Sequence, residues 1–509
     1  MQKYSRHLSV LLLLITALLI GFITVKDYGE SWDEADIYRY GDYAINAYRY
    51  IFHPQSLPAF NTNLNLYGPA YYLAADLIAR LFIWVIPSWS LINAWHFLYF
   101  LTFLGCALVI YLLARRWMSD LAAFGAVLLF LSQPLLWGHA FINPKDIPFM
   151  AFFTASIYTG FVMVDHYEVS FKPDMTILLA GILLGFTASF RVIGPLAGLI
   201  VLGYAIFKLR SKIVPLAVLY LISAAITTYL TWPYLWGSLI QHYVESLQTM
   251  SQFPFATDIL YMGKLYKADG LPATFFPTMM GIQLTEPSLF LMGIGMIISF
   301  LLFFKKQRVG PFLLFLFWSL IPALVIIGTR VPLYDNARQL YFLYPPLFIL
   351  TGLAFEKIFI FFSHPLGKAV LLLIVALPGI FFAIRLHPYE YVYYNAFVGG
   401  TGGAFRKFEM DYWGTSFKDL TGFINATVPQ NARVLVFGPE QTVEQYARPD
   451  IRAFIPEQQP AVTYDYVAFL TRENLDERRC KGAQTIYSIE RRGALLSVLK
   501  SITAGTECR

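Results

Sequence analysis

Charged residues are scarce in this 509-residue chain. Asp, Glu, Lys and Arg make up 14% of it, whereas soluble globular domains carry about 25%. Hydrophobic residues reach 57% and the mean hydropathy is +0.56. Many apolar runs approach about 20 residues, the length that crosses a bilayer as a helix. The shortage of charge excludes a soluble globular protein and predicts a polytopic α-helical membrane protein.

Cysteine is also scarce, which excludes a disulfide framework. Of three cysteines, Cys106 lies in an apolar run, while Cys480 and Cys508 lie in the polar tail. The latter two could pair if the tail is outside the cytosol, but sequence alone does not show whether they meet. The net charge of +6 arises from basic residues in short inter-helix loops, where they set membrane orientation. Membrane lipids are therefore expected partners, and nucleic acid is not.

The apolar runs predict about eleven transmembrane helices within residues 1–386. Basic residues, Lys3 and Arg6, precede the first run, Leu8–Val25, and no small-residue cleavage site follows it. These features favour a retained first helix over a cleaved signal peptide. If the N-terminus lies inside, successive helices end alternately outside and inside. This predicts four outer loops, at about 26–92, 138–146, 232–287 and 329–338.

Two segments depart from this simple pattern. The loop 165–174 should lie inside, yet it is more acidic than basic, although acids count for little in the orientation rule. The apolar stretch 175–207 is too long for one helix and is interrupted at 189–191 and again at Gly194-Pro195. We expect two short helices there, with a turn that places Arg191 toward the outer face.

The tail differs in composition from the rest of the chain. Residues 387–509 are less hydrophobic and carry charges of both signs. They predict an interfacial segment followed by a small α/β domain on the non-cytosolic side. The strands are expected at Arg433–Gly438, Tyr464–Leu470 and Thr485–Ile489, and the helices at about 415–426 and 493–502.

The most informative stretch is Glu30-Ser31-Trp32-Asp33-Glu34-Ala35-Asp36, directly after the first apolar run. An indole favours the headgroup zone of a membrane, so the neighbouring carboxylates should lie at the water–membrane boundary. A carboxylate there can act as a base while a lipid-borne substrate arrives from the side. The alternative is an ordinary solvated acidic loop.

The other predicted outer loops contain cations. Lys145 lies beside Asp146, Lys264 and Arg338 lie in later loops, and Arg191 lies at the helical break. Cations that converge with acids on one membrane face suit an anionic lipid headgroup beside an activating carboxylate. The alternative for each cation alone is a side chain that merely reaches the interface. A charge inside an apolar run, such as Arg191, favours function.

The order of these motifs resembles the GT-C glycosyltransferases. Trp32-Asp33-Glu34 opens a long loop after the first helix, and Tyr67-Gly68-Pro69-Ala70-Tyr71-Tyr72 follows. This arrangement is most similar to the family of protein O-mannosyltransferases and bacterial aminoarabinose transferase. Asn143-Pro144-Lys145-Asp146 resembles the second acidic loop motif of that family. The segments from His387 to Asn395 and from Phe408 to Gly414 resemble the tail-side region of carrier-lipid-dependent glycosyltransferases.

The resemblance implies a polyprenyl- or dolichyl-phosphate sugar as donor. Asp33 is then the candidate general base, and Glu34 orients the acceptor or raises the basicity of Asp33. An acceptor hydroxyl or amine attacks the sugar C1 while the lipid phosphate leaves, which predicts inversion. The candidates for binding the phosphate are Arg191, Arg338, Lys264 and Lys145.

Three assignments keep an alternative. No cofactor is required, but Asp33 and Asp146 could bind Mg²⁺ or Mn²⁺. Asp146 equally suits a structural place at a helix N-terminus. His387, Tyr389 and Glu390 could form the rim of an acceptor site, or an aromatic collar at the interface with structural hydrogen bonds.

The predicted function is therefore an inverting glycosyltransferase in a bacterial or archaeal plasma membrane, with its active site on the outer or periplasmic face. The acceptor, whether protein, lipid or glycan, stays open. One alternative is a transporter or flippase of lipid-linked glycans, which would place charges in the membrane midplane and show inverted repeats. Another is a non-catalytic subunit of a glycan-assembly complex, which would tolerate loss of Asp33.

Overall fold

The computed structural model describes residues 7–60, 62–253, 255–456, 463–502 and 508. Lys3 and Arg6, predicted to lie inside, are outside the described residues. The helices of the first half are α1 (Leu8–Thr24), α2 (Glu34–Ala47), α3 (Ala70–Val85), α4 (Leu91–Ala114), α5 (Asp120–Leu131), α6 (Pro134–Ile142), α7 (Asp146–Ser170), α8 (Met175–Phe190), α9 (Pro195–Leu209), α10 (Val214–Thr231) and α11 (Leu239–Ser251).

A second group of helices follows a short β-hairpin, β1 (Ile259–Tyr261) and β2 (Lys264–Tyr266). A π-helical stretch, Phe315–Leu320, joins two of these helices, and a 3₁₀ helix, Asp335–Leu343, precedes another. The helices are α12 (Phe275–Gln283), α13 (Glu286–Phe304), α14 (Gly310–Leu314), α15 (Ile321–Thr329), α16 (Pro345–Ile358) and α17 (Pro365–Leu386).

The helices identify an integral, multi-pass membrane protein. Among the described residues, six stretches are long and apolar enough to cross a membrane, or eight if each of two bent pairs counts as one span. The two bent pairs are α5 with α6 and the 3₁₀ helix 335–343 with the helix after it. The number of about eleven spans stays a prediction.

Helices α4 and α7 form the centre of the bundle. Their side chains are buried on most sides, as Phe103 and Phe153 show, and α7 packs on α4, α8 and α9. Peripheral helices instead expose large apolar side chains, such as Phe290 on α13 and Ile384 on α17. Apolar surface turned outward is the pattern of helices solvated by lipid rather than by water.

Ion pairs near the C-terminal end of α4 explain why the segment 165–174 is more acidic than basic. Arg116 pairs with Asp165 at 2.6 Å, and Lys208 pairs with Glu168 at 2.9 Å. Both acids lie in the last turns of α7, which continues to Ser170, so the loop predicted to begin at 165 begins later. The two acids neutralise cations from neighbouring segments. Because α4 spans 24 residues, a length of about 36 Å, this cluster lies at the end of the bundle opposite Trp95 and His96.

The structure has the predicted helical break. Helix α8 ends at Phe190 and α9 begins at Pro195, so Arg191 leaves the helix in an extended conformation. The Tyr67-Gly68-Pro69 segment packs directly against this break, where a Cβ on Gly68 would lie 1.6 Å from the carbonyl oxygen of Ser189. A glycine is therefore required for the loop to approach the break so closely.

The tail forms a five-stranded sheet. The strands are β3 (Arg433–Phe437), β4 (Arg452–Phe454), β5 (Tyr466–Leu470), β6 (Gln484–Arg491) and β7 (Ala494–Ser501), in the order β4-β3-β5-β7-β6. The accompanying helices are α18 (Gly400–Ala404), α19 (Phe417–Thr427), α20 (Glu440–Tyr446) and α21 (Leu475–Arg478). Cys480 and Cys508 form a disulfide, a pairing that the sequence left open.

One tail prediction is wrong, because the segment expected to be a helix at 493–502 contains strand β7, Ala494–Ser501. Four of the five residues from Leu495 to Leu499 are apolar, and such a short run suits a buried strand as well as a helix. Strand β7 pairs antiparallel with both β5 and β6. The hydrogen bonds to its hairpin partner β6 and to the more distant β5 favour the strand.

Candidate active site

A cavity of about 350 Å³ lies where the predicted outer loops meet the tail. It contains acids, cations and aromatic rings within one enclosure, which is the composition of a site that orients a polar ligand. The residues that line it are Trp32, Asp33, Asp36, Asn63, Leu64, Tyr67, Lys145, Phe253, Phe255, Ala256, Thr257, Tyr334, Asp335, Arg338, Tyr412, Trp413 and Arg472.

Asp33 projects into this cavity from the residue immediately before α2. Its carboxylate lies 2.9 Å from the Lys145 ammonium and 3.7 Å from the Arg338 guanidinium, and its side chain is 28% exposed. Burial raises the pKa of this carboxyl, but Lys145 and Arg338 lower it further than that, so the pKa lies below its usual value. Asp33 is therefore ionised at neutral pH and within reach of a ligand.

Arg338 connects three carboxylates. It lies 2.6 Å from Asp146, 2.9 Å from Asp335 and 3.7 Å from Asp33. Its guanidinium also lies over the Trp413 ring, 4.3 Å from the centroid, and the residue is only 4% exposed. A guanidinium can serve several carboxylates because its donors point in fixed directions in one plane.

The backbone before Arg338 adopts an unusual conformation. Asp335, Asn336 and Ala337 all have left-handed φ angles, at 48°, 58° and 60°. Non-glycine residues in this region are sparsely populated and collect at functional sites. The Asn336 side chain supports the turn by donating to the Tyr394 hydroxyl at 2.9 Å. This turn presents Asp335 and Arg338 to the cavity together.

Asp146 lies behind Arg338, at the start of α7. It is buried and forms ion pairs with Arg338 and with Arg191. Asn143 donates to its carboxylate at 3.0 Å and accepts from its backbone N–H at 2.8 Å. The second acidic motif therefore anchors the two arginines, and the helical break at Arg191 is joined to the site through this carboxylate.

The tail contributes a cation that the sequence analysis missed. Arg472 lies 2.8 Å from Asp335, and its guanidinium lies over the rings of Trp32 and Phe255, at 5.7 and 5.4 Å from their centroids. Nothing in the tail sequence distinguishes Arg472 from the other arginines there. Its partners become visible only when the tail folds onto the bundle.

The charged side chains that line the cavity are balanced. Three carboxylates, Asp33, Asp36 and Asp335, face three cations, Lys145, Arg338 and Arg472. Behind the wall, Asp146 pairs with Arg338 and Arg191. Cations in a largely enclosed cavity can bind an anionic ligand through charge-assisted hydrogen bonds.

Glu34, the neighbour of Asp33, points away from the cavity. It is fully buried and accepts from the Ser31 backbone N–H at 2.6 Å and from the Tyr38 hydroxyl at 3.1 Å, and it lies 3.0 Å from His96 Nε2. The bond to Ser31 ties the first residue of α2 to the chain just before the helix. Glu34 therefore anchors the start of α2, and its expected contact with an acceptor has no support in this geometry.

The other predicted site residues also lie away from the cavity wall. Lys264 is exposed on strand β2. His387 lies between Asp27, at 3.0 Å, and Glu390, at 2.8 Å. Tyr389 donates to Asp419 at 2.6 Å. These bonds join the end of α17 to the chain after α1 and to the tail, which favours the structural alternative for the expected acceptor rim.

Glu30 should make stability depend on pH. Burial, followed by the nearby Glu34 carboxylate, raises its pKa to about 8. The folded state then keeps a proton that the unfolded chain releases, so this contribution is present below about pH 4.3 and is lost as pH rises through the folded pKa. We expect the stability difference between wild type and Glu30→Gln to change by up to about 1.4 kcal/mol per pH unit in that window.

Thermal unfolding of both proteins at several pH values between 5 and 8 measures this difference. The wild type should lose stability relative to Glu30→Gln as pH rises. Parallel curves across the whole range would contradict the assignment, because Glu30 would then titrate alike in the folded and unfolded states.

Comparison with known proteins identifies the fold. No protein-family model and no curated protein sequence matches this chain. Among solved structures, ArnT from Cupriavidus metallidurans bound to undecaprenyl phosphate matches with a TM-score of 0.53 and 14% identity, over 97% of this chain and 98% of that one. Archaeal oligosaccharyltransferase AglB from Archaeoglobus fulgidus, in complex with an inhibitory peptide and a dolichol-phosphate, matches with a TM-score of 0.53 and 12% identity, over 99% and 75%.

The chain has the GT-C glycosyltransferase fold. The match covers nearly the whole chain, so the tail sheet is part of the shared architecture rather than an addition. The GT-C expectation from the acidic motifs is thereby confirmed at the level of fold.

The GT-C fold raises the question of a metal. One similar structure, an Archaeoglobus fulgidus oligosaccharyltransferase, was solved with Zn and sulfate; it matches with a TM-score of 0.51 and 12% identity, over 92% of this chain and 68% of that one. Here Asp33 and Asp146 are already neutralised by Lys145, Arg338 and Arg191. Asp33 and Asp146 are the residues that would hold a divalent cation, and the cation would have to displace these protein partners.

Proposed function

We propose that the protein is an inverting, integral-membrane glycosyltransferase. It moves a sugar from a polyprenyl or dolichyl phosphate to a hydroxyl or amine acceptor on the non-cytosolic side of the membrane. The observation that carries the proposal is the pairing of an ionised, accessible Asp33 with Lys145 and Arg338 in one cavity. This pairing supports Asp33 as the base and Lys145 and Arg338 as the cations for a phosphate.

The reaction follows from these positions. The Asp33 carboxylate accepts the acceptor's proton as the acceptor atom bonds to the sugar C1. The bond from C1 to the phosphate oxygen breaks in the same step, and its electron pair leaves with the lipid phosphate. Because one displacement occurs, the configuration at C1 inverts. Proton transfer of this kind contributes about 10²–10⁴-fold to the rate.

The leaving phosphate needs cations rather than an acid. Its charge grows as the C1 bond breaks, and donors already aimed at that position stabilise the transition state without reorganisation. Lys145 and Arg338 are placed to do this from the cavity wall. Arg191 holds Asp146, which in turn holds Arg338. Arg191 therefore acts on the phosphate through Asp146 and Arg338.

The aromatic wall suits a sugar ring. Trp32, Tyr67, Tyr334, Tyr412 and Trp413 all line the cavity. Aromatic faces present broad apolar surface while the polar groups between them fix orientation. The flat C–H face of a pyranose or furanose fits between such surfaces, with its hydroxyls toward the charged groups.

The similar structures support the class of donor. One was solved with undecaprenyl phosphate and another with a dolichol-phosphate and an inhibitory peptide. Both lipids are polyprenol-type monophosphates. The acceptor stays open among protein, lipid and glycan. Because the carboxylates are neutralised by protein cations, we propose a reaction that requires no divalent metal.

A reconstitution experiment tests the function. Purified protein in liposomes is given a panel of polyprenyl-phosphate sugars with membrane-extract acceptors, and released polyprenyl phosphate is quantified by mass spectrometry. One donor should be consumed, with inverted configuration in the product by NMR and an equal rate in EDTA. A donor that crosses the bilayer without being consumed would establish the flippase alternative. No turnover and no transport with any donor would favour a non-catalytic subunit.

A further inference from the structure

The loop that carries Asp33 is covered by the tail. We call residues 29–33 the Asp33 loop. It lies between α1 and α2, where its backbone groups are not satisfied by helical hydrogen bonds. The approach of the tail is close, because a Cβ on Gly29 would lie 2.4 Å from the Thr415 carbonyl oxygen. The backbone of the loop has local hydrogen bonds to Glu34 and Ile37, and its other partners come from residues more than 380 positions later in the chain.

Three hydrogen bonds join the tail to the Asp33 loop. The Trp32 N–H donates to the Trp413 carbonyl at 2.8 Å. The Gln441 side-chain amide donates to the Trp32 carbonyl at 3.0 Å. The Glu30 N–H donates to the Tyr446 hydroxyl at 3.0 Å. Trp32 is thus bonded through both its N–H and its carbonyl, and the carbonyl belongs to the peptide bond that leads into Asp33.

Two of these partners share one short helix. Gln441 and Tyr446 lie at the two ends of α20 and contact the loop on either side of Ser31. The helix therefore acts as a rigid two-point support. On the other side of Asp33, Glu34 anchors the start of α2. Asp33 lies between these two supports, which leaves little freedom for its Cα to move.

The geometry assigns Gln441 and Tyr446 as positioning residues for Asp33, an inference that rests on the proposed function. Neither residue lines the cavity, so both act through the backbone of the Asp33 loop. A displacement of the base by about 1 Å costs on the order of 10²-fold in rate. The α20 helix therefore makes the tail sheet domain part of the catalytic apparatus rather than a separate binding module.

The test is the double variant Gln441→Leu/Tyr446→Phe, which removes both supporting groups while retaining most side-chain volume. We expect kcat to fall about 10- to 100-fold, the combined value of two net hydrogen bonds. KM for the donor should stay within twofold, because Lys145 and Arg338 are untouched. Gln441→Lys, which keeps a donor of similar reach, should restore most of the loss seen in Gln441→Leu.

The matched control is Gln484→Leu/Tyr487→Phe, the same two chemical changes on strand β6 of the same domain, at exposed positions. It should behave as wild type. A kcat for the Gln441/Tyr446 variant equal to that of the control would overturn the inference. The inference would also be overturned if the double variant lost activity only in proportion to its unfolded fraction, as shown by a lowered thermal midpoint. If the double variant is less stable than wild type, the single variant Gln441→Leu is used instead, because Gln441 is partly exposed. The inference then requires a lowered kcat with an unchanged KM in that variant.

The same assay includes Asp33→Asn, which separates this inference from the proposed function. If Asp33→Asn keeps its kcat, Asp33 is not the base and the proposed function fails. If Asp33→Asn loses its kcat while the Gln441/Tyr446 variant matches its control, only the positioning role is wrong.

Discussion

Asp33→Asn is expected to lower kcat by about 10²–10⁴-fold, the usual contribution of a general base. Asparagine has the same shape and still accepts from Lys145, so the fold should be retained. KM for the donor should stay equal or fall, because Lys145 and Arg338 lose a competing carboxylate and keep their charge. The measurement is steady-state transfer by purified wild type and variant, with thermal unfolding of both.

The matched control is Asp42→Asn. Asp42 lies on the same helix, α2, but is exposed, and its carboxylate makes two long contacts, with Arg80 at 3.4 Å and with the Asn46 side-chain amide at 3.3 Å. Its loss should change kcat by less than about twofold, since exposed ion pairs contribute little. In cells that lack the native protein, one lipid-linked sugar should accumulate with Asp33→Asn and not with Asp42→Asn. Equal lipid pools with both variants would show that Asp33 does not act in consuming the donor.

The pH profile gives an independent check on Asp33. Lys145 and Arg338 outweigh burial and hold its pKa below the usual value. The base is therefore ionised at every pH above about 4, and kcat/KM should lose activity on the acid side only below that value. An acid limb near neutral pH would point to a different titrating group.

Arg338→Met is expected to have the largest effect on stability. It removes the cation that Asp146 and Asp335 share, so that Asp146 keeps only Arg191 and Asp335 keeps only Arg472. Removing one partner of a buried ion pair costs about 3–5 kcal/mol. Donor consumption should also be lost, since the cation for the phosphate is gone. Thermal unfolding in detergent and donor binding by the folded fraction measure the two effects separately.

Arg330→Met and a double variant serve as controls for Arg338. Arg330 lies at the end of α15, on the same predicted outer loop, but is exposed, so its loss should shift the thermal midpoint little. The losses of stability in Arg338→Met and Asp146→Asn should not add in Arg338→Met/Asp146→Asn, because the two residues form one ion pair and the first loss already breaks it. If Arg338→Met costs no more than Arg330→Met, the buried network does not support the fold.

Several features of the site were predictable from local sequence. The shortage of charge and the apolar runs indicate a membrane protein. The Trp32-Asp33 step directly after the first run, the Lys145-Asp146 pair and Arg338 were all predicted for the site, and the structure brings them together. The break before Arg191 follows from Gly194 and Pro195. Each of these inferences depends on residues close in sequence, where chain chemistry alone is informative.

Adjacent residues with the same chemistry have opposite roles, and sequence could not separate them. Asp33 and Glu34 are neighbouring carboxylates, but α2 begins at Glu34, so their side chains leave the backbone in different directions. One faces the cavity and the other is buried against His96. The position of each residue relative to the first turn of α2 determines which of the two carboxylates faces the cavity.

The sequence by itself determined the membrane class, the GT-C resemblance and the acid and cations most exposed to a ligand. Only the tertiary structure shows that Arg472 pairs with Asp335, 137 positions away. It also shows that Lys264, His387, Tyr389 and Glu390 lie away from the cavity wall, and that α20 packs against the Asp33 loop. The physical reason is that these contacts form between groups with no local signal. These ion pairs and hydrogen bonds stabilise the protein only when distant segments pack together and exclude water, so the partner of each group depends on the tertiary fold.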